Sequence, residues 1–239
     1  MPTLTASLCL SLWAQEATQA YEIPYDRVAE RHRRKVRKVM DDVTVEVPLE
    51  RVAVATRPEV YEFLLEELPF TADVCRQLGR TKYEVFRDPR KPEKDEEKEA
   101  WRHTYYMNDK EGLSVKVQLV LAEARRRIFY TWGSYDLSPL PSLWGRSVIV
   151  VLWGEKDGRL VTEAKVFAQI DSSFYKAISE VLKGTVRSVV KDKSTVFIRA
   201  ARWVSEAAAE NPRKLHEQLD GARDVDQVTL EEFRKKFLK

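Results

Sequence analysis

The fold is decided by residues 160–170, which read LVTEAKVFAQI, and by residues 172–210, which begin two positions later. In the first segment small or apolar residues alternate with polar ones, as in a strand with one buried face. In the second, apolar residues recur at three- and four-residue spacing, which predicts a long amphipathic helix. Gly184 interrupts this pattern and predicts a kink, because glycine weakens a helix interior by about 1 kcal/mol. A helix this long, apolar on one face, needs a sheet to lie across.

The elements before this pair are mostly short strands. Residues 43–55 alternate around Pro48, which is typical of an edge strand or of two short strands. Thr56 is expected to cap a helix that starts at TRPE, and a second short helix follows Pro69 and ends at Gly79. The pattern then predicts antiparallel strands over residues 81–86, 101–107, 113–122, 127–132, 147–153 and 160–170.

Two connections and the C-terminal region lie between or beyond these strands. Residues 88–99 contain only charged residues and two prolines, which predicts a solvated loop. Residues 133–145 form a longer connection with apolar residues, interpreted either as a lid or lipid-dipping loop or as a loop tucked onto the core. After residue 210, Asn211 opens a short helix, and residues 229–232 form a capping box that opens a last helix.

A run of antiparallel strands followed by one long helix predicts an α+β fold. The first helix, TRPEVYEFLL at residues 56–65, the hairpin of residues 147–170 and the glycine-interrupted helix carry a resemblance to the helix-grip superfamily. That superfamily, also called SRPBCC, includes the START lipid-transfer domains, the birch-pollen-allergen family and the polyketide cyclases. The resemblance implies a curved antiparallel sheet wrapped around a long C-terminal helix, with a cavity between them for an apolar ligand.

The resemblance covers residues 43–210, which we interpret as a helix-grip ligand-binding domain. Residues 21–42 are expected to form a basic helical arm and residues 211–239 a helical tail. Residues 1–20 are mildly apolar but lack a positive leading region, so they fit either a leader or signal remnant or a docked N-terminal segment. The compartment therefore stays open, with the cytoplasm favoured over export.

Composition excludes several classes of function. The 41 basic and 38 acidic residues leave a net charge of +3, which gives no argument for a nucleic-acid partner. The three histidines are scattered, and no phosphate-binding loop, dinucleotide fingerprint or nucleophile motif occurs. We therefore predict no catalytic residue, metal or cofactor. Cyclases of the superfamily act with few residues in their cavity, so a cyclase or dehydratase remains the alternative.

The basic arm has two interpretations, one functional and one purely structural. A helix over residues 25–40 would carry many cations beside a narrow apolar stripe. It is either a solvated surface helix or a peripheral contact with an anionic membrane. The cations of that second interpretation are Arg27, Arg31, Arg34, Lys35 and Lys38.

Lys193 is the polar residue that the helical pattern places in the middle of the apolar arc. An unpaired buried lysine is unfavourable, so we expect it either to meet the anionic head of a ligand or to extend to solvent at the sheet edge. Aromatic and small residues of the strands and helix complete the candidate cavity wall. The full set is Tyr105, Val117, Leu119, Tyr130, Trp132, Trp144, Ala164, Val166, Ala168, Val189, Lys193, Phe197 and Ala200.

From these observations the sequence predicts that the protein binds, and can transfer, a hydrophobic small molecule such as a lipid, sterol or fatty chain. Small residues on the last strand and the helix leave room for a ligand, but they fit close helix–sheet packing equally well. A ligand-free protein-interaction module with a filled interior is therefore a second alternative. The oligomeric state stays open.

Overall fold

The computed structural model describes residues 21–89, 95–136, 142–177, 180–222 and 224–238. One antiparallel sheet is formed by β1 Val45–Pro48, β2 Val52–Val54, β3 Glu84–Arg87, β4 Thr104–Asn108, β5 Leu113–Glu123, β6 Arg126–Tyr135, β7 Leu143–Lys156 and β8 Arg159–Ile170. The helices are α1 Glu30–Met40, α2 Pro58–Glu66, α3 Leu68–Gln77, α4 Asp95–Arg102, α5 Ser172–Ala177, α6 Glu180–Glu210, α7 Pro212–Leu219 and α8 Gln227–Phe237.

The strand order across the sheet is β1-β8-β7-β6-β5-β4-β3, and β2 pairs with β8 beside β1. β1 and β2 therefore share one edge of β8, as the alternation around Pro48 predicted. From β3 to β8 each strand pairs with the next one along the chain. The predicted α+β helix-grip fold, a curved antiparallel sheet with a long C-terminal helix, is confirmed.

The inner face of the sheet packs on α6. This helix has 31 residues and would span about 46 Å at 1.5 Å per residue. Its residues Val186, Ala201 and Val204 are buried in one core with the inner sides of the strands and with α2 and α3. Cys75 is fully buried, and its Sγ lies 3.4 Å from the carbonyl oxygen of Ala200.

The outer face of the sheet carries a second core, and α1 covers it. Val28, Val36 and Val39 are fully buried against outward residues of β5 to β8, among them Ile128 and Val148. The narrow apolar stripe of the basic segment is therefore its docking face, and the remaining sides of α1 hold its cations. A sheet with apolar residues on both faces needs such a cover, because its outward strand residues would otherwise face water.

The C-terminal helices complete the inner core. Leu215 and Leu219 of α7 and Leu230 and Phe233 of α8 are 1% exposed or less. The Phe233 ring lies 5.2 Å from the Phe70 ring, centroid to centroid, so α8 packs directly on α3. The segment after residue 210 is thus part of the packed structure.

Gly184 lies within the bounds of α6, and the kink there stays a prediction. Three other local predictions are corrected. Residues 95–99 of the expected charged loop are helical and belong to α4, so the strand predicted over residues 101–107 begins only at Thr104. Residues 90–94 lie outside the described part. Thr56 does not cap α2, whose N-cap is Arg57 without a side-chain hydrogen bond. The last helix begins earlier than residue 229, because the Asp226 carboxylate accepts a hydrogen bond from the Val228 backbone N–H.

The expected long connection of residues 133–145 is also shorter than predicted. Its two ends are strand, since β6 continues to Tyr135 and β7 begins at Leu143. The lid interpretation covered all of residues 133–145, and residues 137–141 of that connection lie outside the described residues. Within the described ranges, every helix is too short or too polar to cross a lipid bilayer.

Candidate functional site

An apolar pocket opens between the inner face of the sheet and the first half of α6. Its volume is about 100 Å³. The apolar side chains in its wall come from five strands and the helix, and they are Met107, Leu113, Val115, Tyr135, Leu143, Ile149, Ala168, Ile170, Val189 and Val190. The polar residues of its lining are Thr131, Ser134, Arg146, Ser147, Lys193 and Ser194.

Two paired glycines form part of the pocket wall. Gly133 of β6 and Gly145 of β7 lie directly opposite each other in the ladder, and both line the pocket. A Cβ added to Gly133 would overlap the carbonyl oxygen of Ser114 and lie 2.6 Å from Val115 Cα, and one added to Gly145 would lie 2.9 Å from a backbone oxygen. Neither position accepts a side chain without moving the backbone, so at this point the wall is bare main chain.

Lys193 lies at the edge of this pocket and is paired with two carboxylates. Its Nζ is 2.7 Å from Asp109 Oδ2 and 2.5 Å from Glu111 Oε2, both on the turn between β4 and β5. The Tyr135 ring centroid is 4.9 Å from the same Nζ. The Lys193 and Asp109 side chains are 11% and 5% exposed, so this ion pair is largely removed from water. The expectation that Lys193 needs a partner holds, but its partners are protein carboxylates.

The charge of Lys193 is held firmly. Burial disfavours the charged ammonium, but hydrogen bonds to Asp109 and Glu111 outweigh burial and raise the pKa of Lys193 above its ordinary value. A lysine with a raised pKa neither donates nor accepts a proton readily near neutral pH. Lys193 is therefore poorly suited to acid–base chemistry, and within the described residues no group of three or more His, Cys, Asp or Glu side chains could hold a metal.

Only some of the predicted cavity residues meet at this pocket. Ala168, Val189 and Lys193 line it. The remaining predicted residues of the inner face are buried side chains of the core, and they fill the deeper space between sheet and helix. They are Tyr105, Val117, Leu119, Ala164, Val166 and Ala200. Tyr105 is fully buried, and its hydroxyl donates to the carbonyl oxygen of Glu66.

The aromatic residues of β6 and β7 are corrected to the opposite face. Tyr130 and Trp132 belong to the outer core, since successive side chains of a strand point to opposite sides of the sheet. Trp144 is 59% exposed and lines a recess of the same outer face. These three cannot wall a space beneath α6. For Phe197 the helical backbone is described but the side chain lies outside the described part.

Sequence reasoning missed the acidic partners and the glycine pair. Asp109 and Glu111 lie in a short turn, NDKEG, which predicted only a hairpin connection. Asp109 Oδ1 also accepts hydrogen bonds from the backbone N–H groups of Glu111 and Leu113, and these bonds fix the turn that presents both carboxylates. The signal available in the sequence was the buried lysine itself, which required a carboxylate that local spacing could not identify.

The strand order and the long helix that packs on the inner face of the sheet define a helix-grip fold. No protein-family model matches the chain, and a comparison with curated protein sequences also finds no match. Similar solved structures include a hypothetical protein from Helicobacter pylori, with 10% sequence identity and a TM-score of 0.41 over 68% of this chain and 89% of that chain.

Two further solved structures are similar. One is Ara h 8.0201, with 11% identity and a TM-score of 0.41 over 67% of this chain and 97% of that one. The other is the di-domain ARO/CYC StfQ from the steffimycin biosynthetic pathway, with 14% identity and a TM-score of 0.43. That match covers 75% of this chain and 55% of the StfQ chain.

Proposed function

We propose that the protein binds a hydrophobic small molecule of the lipid class in the pocket between the sheet and α6. The observation that carries this proposal is the chemistry of the pocket wall. Aliphatic side chains such as Leu113, Ile149 and Ile170 surround a space that the side chains of the described residues leave open. Apolar surface moved from water into this wall gains about 25 cal/mol per Å², which drives binding without any specific polar contact.

The pocket's size limits what is bound in this conformation. Its volume of about 100 Å³ is below the roughly 300–1,000 Å³ of pockets that enclose drug-sized ligands. It therefore receives the end of a chain or ring, while the rest of the ligand requires α6 to move away from the sheet. The same movement would release the ligand to an acceptor, which is the step that transfer requires.

The charges at the pocket favour a ligand with an uncharged polar end. Lys193 is already matched by Asp109 and Glu111, so these three groups together carry one negative charge. An anionic head placed there would meet net repulsion. A fatty alcohol or a sterol fits better than a fatty acid, because its uncharged hydroxyl can donate a hydrogen bond to a neighbouring serine or threonine hydroxyl and accept one from it.

The test is native mass spectrometry of the protein purified from cells, followed by titration with a long-chain alcohol and the acid of equal length. We expect a co-purified lipid and tighter binding of the alcohol. Val189→Phe, which fills the pocket, should weaken binding at least tenfold, or about 1.4 kcal/mol. Val228→Phe at a 79% exposed position of α8 is the control and should change nothing. Equal binding by both variants would exclude this pocket as the site.

A protein-interaction module is the second candidate, and the filled interior favours it. Tyr105, Val117 and Val166 occupy the deeper space that a large ligand would need. If neither co-purified lipid nor alcohol binding is detected, the packed interior serves stability alone. Function would then lie on the outer surface.

Membrane contact through α1 belongs to the same proposal. Arg31, Arg34 and Lys38 remain exposed, whereas Lys35 is half-buried and donates to Gln118, and Arg27 pairs with Glu123 at 3.1 Å. Arg31→Gln with Arg34→Gln should reduce cosedimentation with phosphatidylserine vesicles, by about 1 kcal/mol per cation. Arg213→Gln with Lys214→Gln on α7 is the matched control. Equal loss in both pairs, or none in either, would contradict a specific contact through α1.

A further inference from the structure

A second recess lies on the outer face of the sheet, beside the C-terminal end of α1. Its volume is about 350 Å³, larger than that of the interior pocket. Residues of α1, β6, β7 and β8 and of the segments that follow α1 and β8 surround this outer groove. Those used below are Lys38, Asp42, Trp132, Trp144, Arg146, Gln169 and Asp171. The proposed lipid site lies on the other face of the sheet, so the outer groove is a separate candidate binding site.

The apolar part of the outer groove is built from two indole rings. Trp132 pairs with Arg146 in the ladder and Trp144 pairs with Ser134, so the two tryptophans occupy diagonal positions on one face. Diagonal neighbours are about 7–8 Å apart, so the two rings lie side by side on this face. The ammonium groups of Lys35 and Lys116 lie over the Trp132 ring, whereas Trp144 is 59% exposed and offers an open ring face to a ligand.

The charges of the four ionisable residues that line the outer groove cancel, and two further cations, Lys35 and Lys116, lie 5.6 and 5.1 Å from the centroid of the Trp132 ring. Lys38 and Arg146 supply hydrogen-bond donors and two positive charges, while Asp42 and Asp171 supply acceptors and two negative charges. A lining of zero net charge does not favour a phosphate, a carboxylate or a cation as its ligand. It matches a neutral molecule that carries many groups able both to donate and to accept hydrogen bonds.

Gln169 provides an independent indication of a ligand. Its side chain is 9% exposed, and its Nε2 donates to Asp42 Oδ2 at 2.8 Å. Its Oε1 is buried without a hydrogen-bond partner. A buried acceptor is normally satisfied, so a turn of the Gln169 side chain that exposed this oxygen to the groove would let it accept a hydrogen bond from a bound molecule.

We propose that the outer groove binds the neutral sugar ring of a glycan. One face of a pyranose ring consists of C–H groups, which lie against the electron-rich face of an indole. The ring edge carries hydroxyl groups, each of which donates to an acceptor such as Gln169 Oε1 or Asp42 and accepts from Lys38 or Arg146. A neutral sugar could therefore cover the exposed Trp144 ring, suit a lining without net charge and donate a hydrogen bond to Gln169 Oε1.

The test is binding of the full chain to a microarray of immobilised neutral glycans, followed by solution titration of the best glycan with detection by tryptophan fluorescence. We expect at least one neutral glycan to bind. Trp144→Ala should weaken it at least tenfold, about 1.4 kcal/mol, and Gln169→Leu should do the same. Trp144→Phe retains a ring face and should restore most of the affinity.

Phe86→Ala is the matched control, because Phe86 is a 42% exposed aromatic residue of β3 outside the outer groove. This variant should bind like the wild type. The proposal is overturned if no neutral glycan binds, or if binding persists at full strength in both Trp144→Ala and Gln169→Leu. It is also overturned if AMP or phosphatidylglycerol vesicles bind through Trp144 more tightly than any neutral glycan, since the site would then recognise an anion.

Discussion

At the scale of single residues, Lys193 shows how a buried charge is accommodated. The helical pattern placed it among apolar neighbours, and the tertiary structure supplies two carboxylates from a turn more than eighty residues earlier in the chain. Its ammonium joins α6 to the β4–β5 turn at the rim of the pocket. The residue that looked like a ligand contact therefore has a structural task as well.

Replacing Lys193 with methionine should destabilise the fold. Asp109 would remain buried without its cation, although its other oxygen keeps two backbone hydrogen bonds. We expect a loss of about 1–3 kcal/mol in the free energy of unfolding, measured by urea denaturation. Lys191→Met, on the exposed side of the same helix, is the control and should stay within about 0.5 kcal/mol. Adding Asp109→Asn should recover part of the loss, and no recovery would contradict the pairing.

His32 gives a second prediction at this scale, on pH. Burial, with smaller effects of Lys35 and Arg31, lowers the pKa of His32 from 6.5 to about 4. The unfolded chain therefore binds more protons than the folded one between these two values, so stability falls as the pH drops from about 6.5 to 4. His32→Phe should flatten this part of the curve.

The comparison between wild type and His32→Phe must be made at each pH, because other groups titrate in the same window. Burial raises the pKa of Asp73 to about 6, which acts in the opposite direction. Thermal unfolding followed at several pH values gives the difference due to His32 alone. Identical pH profiles for the two proteins would show that His32 does not contribute.

At the scale of elements, patterns of alternation and helical spacing predicted β8, α6, the split edge strand and α3 closely. They failed at α4, where charge and proline content outweighed a short helical pattern. They also failed to assign faces. The prediction placed Tyr130 and Trp132 on the inner face because it assumed that the outer face of the sheet is exposed to water. The docking of α1 makes that face a second core, and no local pattern reports which side a distant helix will cover.

Gly184 tests the role of α6 as a moving element. Nothing lies within 4 Å of a Cβ added there, so alanine fits without strain. Gly184→Ala should stabilise the protein by about 0.5–1 kcal/mol, because alanine has a higher helix propensity than glycine.

If α6 must move for a ligand to enter, Gly184→Ala should also slow the exchange of a bound alcohol, measured by stopped-flow displacement. Gly154→Ala in β7, which also meets open space, is the control and should leave exchange unchanged. Unaltered exchange in Gly184→Ala would argue against movement of the first turns of α6.

At the scale of the whole molecule, the sequence resemblance covered residues 43–210, and the flanking segments were read as an arm and a tail. The structure packs both against the sheet and its helices. Leu215, Leu219, Leu230 and Phe233 are as deeply buried as the strands. Sequence patterns predicted α7 and α8 but could not show where they dock, because docking depends on the shape of the surface that α2, α3 and α6 leave open.

Ending the chain after residue 210 should therefore unfold the protein or nearly so. Four fully buried side chains would be lost, each contributing about 1.5–3 kcal/mol. Their sum is comparable to the roughly 5–15 kcal/mol of total stability that is usual for a domain. Loss of cooperative unfolding in circular dichroism is the expected result. A chain ending after Phe237 is the control and should melt like the full chain. A cooperative, wild-type-like transition in the 210-residue chain would show that the tail is dispensable.

The facing glycines of β6 and β7 have one more consequence. Gly133, Gly145, Arg146 and Ile170 border both the inner pocket and the outer groove. The partition between the two compartments is therefore a single layer of peptide. A ligand that displaced this backbone from the inner pocket would also change the wall of the outer groove, and the reverse holds as well. By thermodynamic linkage, an occupant that alters affinity across this partition must have its own affinity altered by the same factor.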